Sequence, residues 1–118
     1  MTVAFQEWGH VVVIKPDHAV YEGVDCDAME VRLLALVEKG ARIVVDLSLV
    51  DSLTAHCIGV LVNAQRVAEQ NGGRIVLCGA KPLERSLLAK MGLAGVLPHY
   101  DDPAGAVEAL TRMLSSVA

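Results

Sequence analysis

Residues 41–61 read ARIVVDLSLVDSLTAHCIGVL, and the handover they contain decides the fold class. Ile43, Val44 and Val45 form a β-branched run that closes on Asp46, the composition of a strand covered on at least one face. From Cys57 onward the apolar residues return at Val60, Leu61, Ala64, Val67 and Ala68, a spacing of three and four that predicts a helix. Ser48 to Thr54 is the polar segment between them, and a second β-branched run, Ile75 to Cys78, follows the helix. A strand, a crossover helix and a further strand make a β-α-β unit, whose strands lie parallel.

The rest of the chain extends this unit in both directions. Val11 to Ile14 is another strand run, Thr2 to Glu7 a candidate first strand, and Trp8-Gly9 the expected hairpin turn between them. Met29, Leu33, Leu36 and Val37 carry helical spacing ahead of Ile43. Asn71-Gly72-Gly73 supplies the positive φ that ends the second helix. Leu83, Leu87, Leu88 and Met91 predict a short third helix with Pro82 in its first turn and Gly92 at its end. A last strand is expected near Val96-Leu97. Asp101-Asp102-Pro103 then opens a final helix whose apolar side includes Val107, Leu110, Met113, Leu114 and Val117. The order β-β-α-β-α-β-α-β-α is that of an α/β domain, and no linker or repeat divides it.

Composition narrows the functional classes. The apolar share is 53% with only 3% aromatic, so the core is aliphatic, and 118 residues suffice for one domain from 1 to 118. A net charge of −4 without a Lys/Arg cluster argues against nucleic acid as a partner. No apolar run reaches membrane-span length and Met1 to Glu7 has no basic start, so the expectation is a cytoplasmic protein without direct membrane insertion. Cys26, Cys57 and Cys78 lack zinc or redox spacing and are expected as reduced thiols in the core. Gly72-Gly73 follows a helix rather than a strand, which removes it as a phosphate loop.

Ile43-Val44-Val45-Asp46-Leu47, Ile58-Gly59-Val60-Leu61, Gly72-Gly73-Arg74-Ile75-Val76-Leu77 and Lys90-Met91-Gly92-Leu93 together resemble the STAS domain family, which includes bacterial anti-sigma factor antagonists. The resemblance runs from about Ala41 to the C-terminus. It implies a small mixed sheet of about five strands, an N-terminal hairpin and about four helices packed chiefly on one side. It also implies a function: binding an anti-sigma factor or related serine kinase, with no cofactor, no metal and no catalysis. In such antagonists the typical loop reads D-S-S-G-L-G-V, and its first serine is phosphorylated by the partner kinase.

Aligned without gaps, that pattern falls on Thr54 to Val60, and the phosphoacceptor position becomes Ala55. The family aspartate becomes Thr54, the second serine His56 and the first glycine Cys57. A methyl group takes no phosphate, so the expectation is an antagonist-like protein without the usual switch. Its partner-binding loop is Asp51, Ser52, Thr54, Ala55, His56 and Cys57, with Thr54 or Ser52 as alternative acceptors. Thr54 is equally the natural cap of the following helix. His56 is expected to be exposed at a contact surface, Asn63, Gln65 and Arg66 to add exposed polar contacts, and Asp46 to order the loop. Asp17 is the nearest acidic residue to the family's N-terminal acidic segment. The alternative function implied by the family is an accessory subunit that binds the ATPase of an ABC transporter. An enzyme built on His56, Cys57 and Asp46 is disfavoured, because adjacent helical residues point about 100° apart.

Overall fold

The computed structural model describes residues 3–16, 23–50 and 53–117, and the side chains of 6–16, 29–50 and 53–112 within them. The elements are β1 (Val3–Trp8), β2 (Val11–Pro16), α1 (Gly23–Val37), β3 (Arg42–Asp46), α2 (Ala55–Gln70), β4 (Arg74–Cys78), α3 (Pro82–Lys90), β5 (His99–Tyr100) and α4 (Pro103–Val117). They form one sheet in the order β1-β2-β3-β4-β5. β1 is antiparallel to β2, and every later pair is parallel. The hairpin turn lies one residue later than the sequence predicts, with Gly9 at φ +66°, because Trp8 still pairs with Val11.

The period of two along each strand divides the core between the two faces of the sheet. Ile14, Ile43, Val45, Ile75 and Leu77 meet Met29, Leu33 and Val37 of α1, Ile58, Leu61 and Ala64 of α2, and Leu88 of α3. Val11, Val13, Val44, Val76 and Cys78 point the other way, where Ala106 and Leu110 of α4 cover them. Each such aliphatic side chain contributes about 1.5–3 kcal/mol by leaving water. Three helices on one face and one on the other agree with the expected architecture. The turns that leave α1 and α2 meet at Gly73, where an added Cβ would stand 2.3 Å from the Ala41 carbonyl oxygen.

Three details depart from the sequence reading. The last strand is His99–Tyr100 rather than Val96-Leu97. Val96 and Leu97 both donate their N–H groups to the Leu93 carbonyl in a tight turn, and sheet pairing begins only where Leu77 N–H meets the Pro98 carbonyl at 2.8 Å. The apolar stripe of α3 is mostly surface: Leu88 is buried, but Leu83 is 77% exposed and Leu87 and Met91 also face outward. Gln65, expected on the exposed face of α2, is 1% exposed.

The Gln65 side chain completes the sheet where β5 is too short. Its Nε2 donates to the carbonyls of Ile75 and Val96, both at 2.7 Å, and its Oε1 accepts the Ile75 N–H at 2.8 Å. Ile75 lies two residues before Leu77, so its N–H faces the β5 side and has no strand to meet there. The amide of Gln65 takes the place of the missing peptide group. β5 has its own anchor, for the Ala80 N–H donates to His99 Nε2 at 3.0 Å. An accepting Nε2 requires a neutral imidazole. Burial first, and the nearby Arg85 guanidinium second, hold the His99 pKa below its ordinary 6.5, against a smaller opposing pull from Asp101.

Candidate functional site

The C-terminal end of β3 delivers the chain to the loop in a fixed way. Asp46 is buried; its Oδ1 accepts the N–H of Ser48 at 2.9 Å and its Oδ2 lies 3.9 Å from Lys15 Nζ on β2. Leu47 N–H donates to the Cys78 carbonyl at 2.8 Å, and Val50 N–H returns to the Leu47 carbonyl at 3.0 Å. This turn packs over Gly79, whose φ is +70° and whose missing Cβ would meet Asp46 Oδ1 at 2.8 Å. Asp46 therefore orders the start of the loop, which is the role its position suggested.

Asp51 and Ser52 of the expected binding loop lie outside the described residues, as does Asp17. Leu53 then enters the core at 6% exposure and Thr54 starts α2. Thr54 has extended backbone angles, φ −83° and ψ 159°, and its Oγ1 accepts the Cys57 N–H at 3.2 Å. Ile58 N–H closes the first turn on the Thr54 carbonyl at 3.0 Å. The hydroxyl expected either to cap or to accept phosphate is engaged as the cap.

Ala55, the position equivalent to the phosphoacceptor, is the first residue of α2 and is exposed, as are His56 and Gly59. Arg66 is exposed further along and donates to Asn63 Oδ1 at 2.7 Å. Cys57 is fully buried and opens the apolar stripe, as expected, but it is not a reduced thiol: it is disulfide-bonded. That removes it as a nucleophile beside His56. Cys78 is free and buried, and burial together with the Asp46 carboxylate pushes its thiol up to about 12. The side chain of Cys26 lies outside the described residues.

Beside the helix start runs a groove of about 320 Å³, lined by Leu53, Leu83, Glu84, Ser86, Leu87 and Lys90. It runs between Leu53, just ahead of α2, and the exposed Leu83 and Leu87 of α3. Leu83 and Leu87 are four residues apart and one residue out of step with the buried Leu88, so they share a different face of α3. Among the described residues no group of three or more His, Cys, Asp or Glu is placed to hold a metal ion, and no helix is long and apolar enough to cross a membrane.

Comparison with known proteins follows the same lines. Residues 23–98 match the family model described as "Mlab, STAS domain". No curated protein sequence matches the chain. Among solved structures, an anti-sigma factor antagonist from Mycobacterium paratuberculosis is 22% identical with a TM-score of 0.82, the alignment covering 93% of each chain. A STAS domain protein from Planctomyces limnophilus is 18% identical, TM-score 0.77, over 92% of this chain and 97% of that one. The Bacillus cell fate determinant SpoIIAA in its phosphorylated form is 15% identical, TM-score 0.72, over 92% and 98%. At these identities the likeness is one of fold.

Proposed function

The chain belongs to the STAS domain family, and on that premise we propose that it is a single-domain, non-catalytic regulatory protein that binds an anti-sigma factor or related serine kinase in the cytoplasm. Docking uses the loop and helix start at 51–57 and the exposed face of α2, and it operates without the usual phosphorylation switch.

The observation that carries this reading is Ala55 at the exposed first position of α2. A phosphate there would add about −1.5 to −2 charges and three acceptor oxygens within a contact surface, enough to expel a packed partner. Alanine provides no such release. The surface around it is chemically suited to a protein: a standard interface needs roughly 800 Å² on each side, which a loop alone does not offer. Leu83 and Leu87, across the groove from Leu53, extend the surface with the exposed apolar area that interface centres use. The single-sign field required for nucleic acid is missing from a chain of net charge −4.

The test is titration calorimetry of the purified protein against each anti-sigma factor and serine kinase encoded in its own genome. Binding is expected to at least one of them, to be unchanged by ATP, and to weaken at least tenfold in Ala55→Glu and in Leu83→Asp. Absence of binding to any of them removes the reading. The family description naming Mlab favours a second reading, an accessory subunit that binds the ATPase of an ABC transporter. Co-purification with such an ATPase, without effect on any sigma factor, distinguishes it.

A further inference from the structure

Helix α3 has a groove on each flank. Leu83, Leu87 and Lys90 line the one beside Leu53, whereas Arg85, Leu88 and Ala89 fall about half a turn away and line a second groove of about 400 Å³. Ala94, Leu97 and Pro98, from the turn that leads into β5, extend its apolar wall, and His99 of β5 lines it as well. The volume equals about a dozen water molecules and falls within the range of sites for small organic ligands.

Two side chains bring hydrogen-bond donors to this groove. Ala80 N–H donates to His99 Nε2 at 3.0 Å, so that nitrogen carries no proton and the neutral ring holds its proton on Nδ1. The two ring nitrogens point in nearly opposite directions, which turns the Nδ1–H away from Ala80. It is buried and has no hydrogen-bond partner among the described residues, a costly condition for a donor. Arg85 supplies the only charge among the residues that line the groove, none of which is acidic. Its guanidinium lies 3.9 Å from Asp101, but the side chains are 52% and 90% exposed, so the pair is weak and easily exchanged for another anion. The same guanidinium stands near enough to His99 to disfavour the protonated ring.

We propose that this groove binds a small organic monocarboxylate with an apolar body, such as an aryl or short branched-chain acid. Arg85 holds the carboxylate through its planar fork of N–H donors, the His99 Nδ1–H donates to one carboxylate oxygen, and the aliphatic wall covers the body. One negative charge matches a lining with one positive charge and one neutral donor. A phosphate monoester carries close to two charges and three acceptor oxygens, more than these groups can pair. The carboxylate gives the buried N–H the partner it lacks and displaces only the loose contact with Asp101. Because Nδ1 is shielded from solvent, an oxygen reaches it only by moving the atoms that cover it, which makes its proton a reporter of seating in the groove rather than of attraction to the surface. The site needs no protein partner and does not rest on the function proposed above.

NMR spectroscopy of the full 15N-labelled chain at about pH 7.5, where the imidazole is neutral, tests the site with phenylacetate and isovalerate as probes. Saturable shifts are expected at the amides of Ala89, Ala94 and Leu97, together with a shift of the His99 Nδ1–H signal as it gains its bond. Phenylacetamide, which keeps the shape without the charge, and phenyl phosphate are each expected to bind about tenfold more weakly than phenylacetate, or less well still. Arg85→Gln changes an exposed residue, so it is expected to fold and to weaken phenylacetate about tenfold. Arg112→Gln, which removes an equal charge from the exposed side of α4, is expected to leave the affinity within about twofold. The inference is overturned by no saturable shift with either acid, by an Nδ1–H signal that stays in place while the amides move, by equal binding of phenylacetamide or phenyl phosphate, or by as large a loss in Arg112→Gln as in Arg85→Gln.

Discussion

Replacing Gln65 by leucine gives the sharpest test of how this sheet is finished. Leucine fits the space approximately and keeps the helix, but it makes none of the three hydrogen bonds to Ile75 and Val96. The Ile75 N–H and carbonyl would each lose a partner in a buried place, and the Val96 carbonyl would lose one in a part-buried place. At about 1 kcal/mol for each bond, the loss comes to about 3 kcal/mol. For a domain of this size that corresponds to a fall in Tm of roughly 10–15 °C. Gln70→Leu, at an exposed position near the end of the same helix, is the control and should change stability by less than about 0.5 kcal/mol. Gln65→Glu should be worse than Gln65→Leu at neutral pH, since it keeps the acceptor for Ile75 N–H while placing a carboxylate against two carbonyl oxygens. Urea denaturation with an unchanged m-value reads the difference directly. A Gln65→Leu protein within about 1 kcal/mol of the wild type would refute the idea that this amide stands in for a strand.

The neutral His99 makes stability depend on pH in a defined direction. Its folded pKa lies below 6.5, so the unfolded chain binds the extra proton first as pH falls. The stabilising contribution is therefore complete above about pH 6.5 and is lost as pH drops towards the lower folded value; thermal melts of wild type and His99→Gln should converge as the buffer goes from pH 7.5 to 5. A wild-type advantage that grows on acidification would contradict this. Thr54→Ala removes the cap of α2 and should cost about 1 kcal/mol, while Thr54→Ser should cost much less, both by chemical denaturation. Equal losses for the two would show that the methyl group, not the hydroxyl, is what matters.

The parts of this fold that could be read from the sequence are those set by periodicity. Ile43 to Val45 and Ile75 to Cys78 announce buried strands because nothing but β-branched and aliphatic residues occupies them, and the turns at Gly72 and Gly92 announce themselves through glycine. What escaped depends on long-range geometry. Gln65 sits four residues after Leu61 and seven after Ile58, squarely on the buried stripe, yet its polarity reads as surface until β5 is seen to stop short of Ile75. Leu83, Leu87 and Leu88 mark a helix by their spacing, but only the fold shows that α3 buries Leu88 and leaves Leu83 and Leu87 outside. The disulfide at Cys57 escaped as well, as no C-x-x-C spacing marks it. In the candidate site, Thr54 as a cap, Ala55 and His56 as exposed residues and Asp46 as the loop anchor were all legible, because capping and strand-end chemistry are local.

The central claim is that this chain offers a STAS docking surface from which the phosphate-operated release is missing. The measurement that meets it most directly is mass spectrometry of the protein after incubation with ATP and each serine kinase of its genome, with Ala55→Ser in parallel. The account predicts no stoichiometric phosphate on the wild-type peptide that carries Ser52 and Thr54, and phosphate on Ala55→Ser with at least one kinase. Stoichiometric modification of Ser52 or Thr54 in the wild type would contradict it.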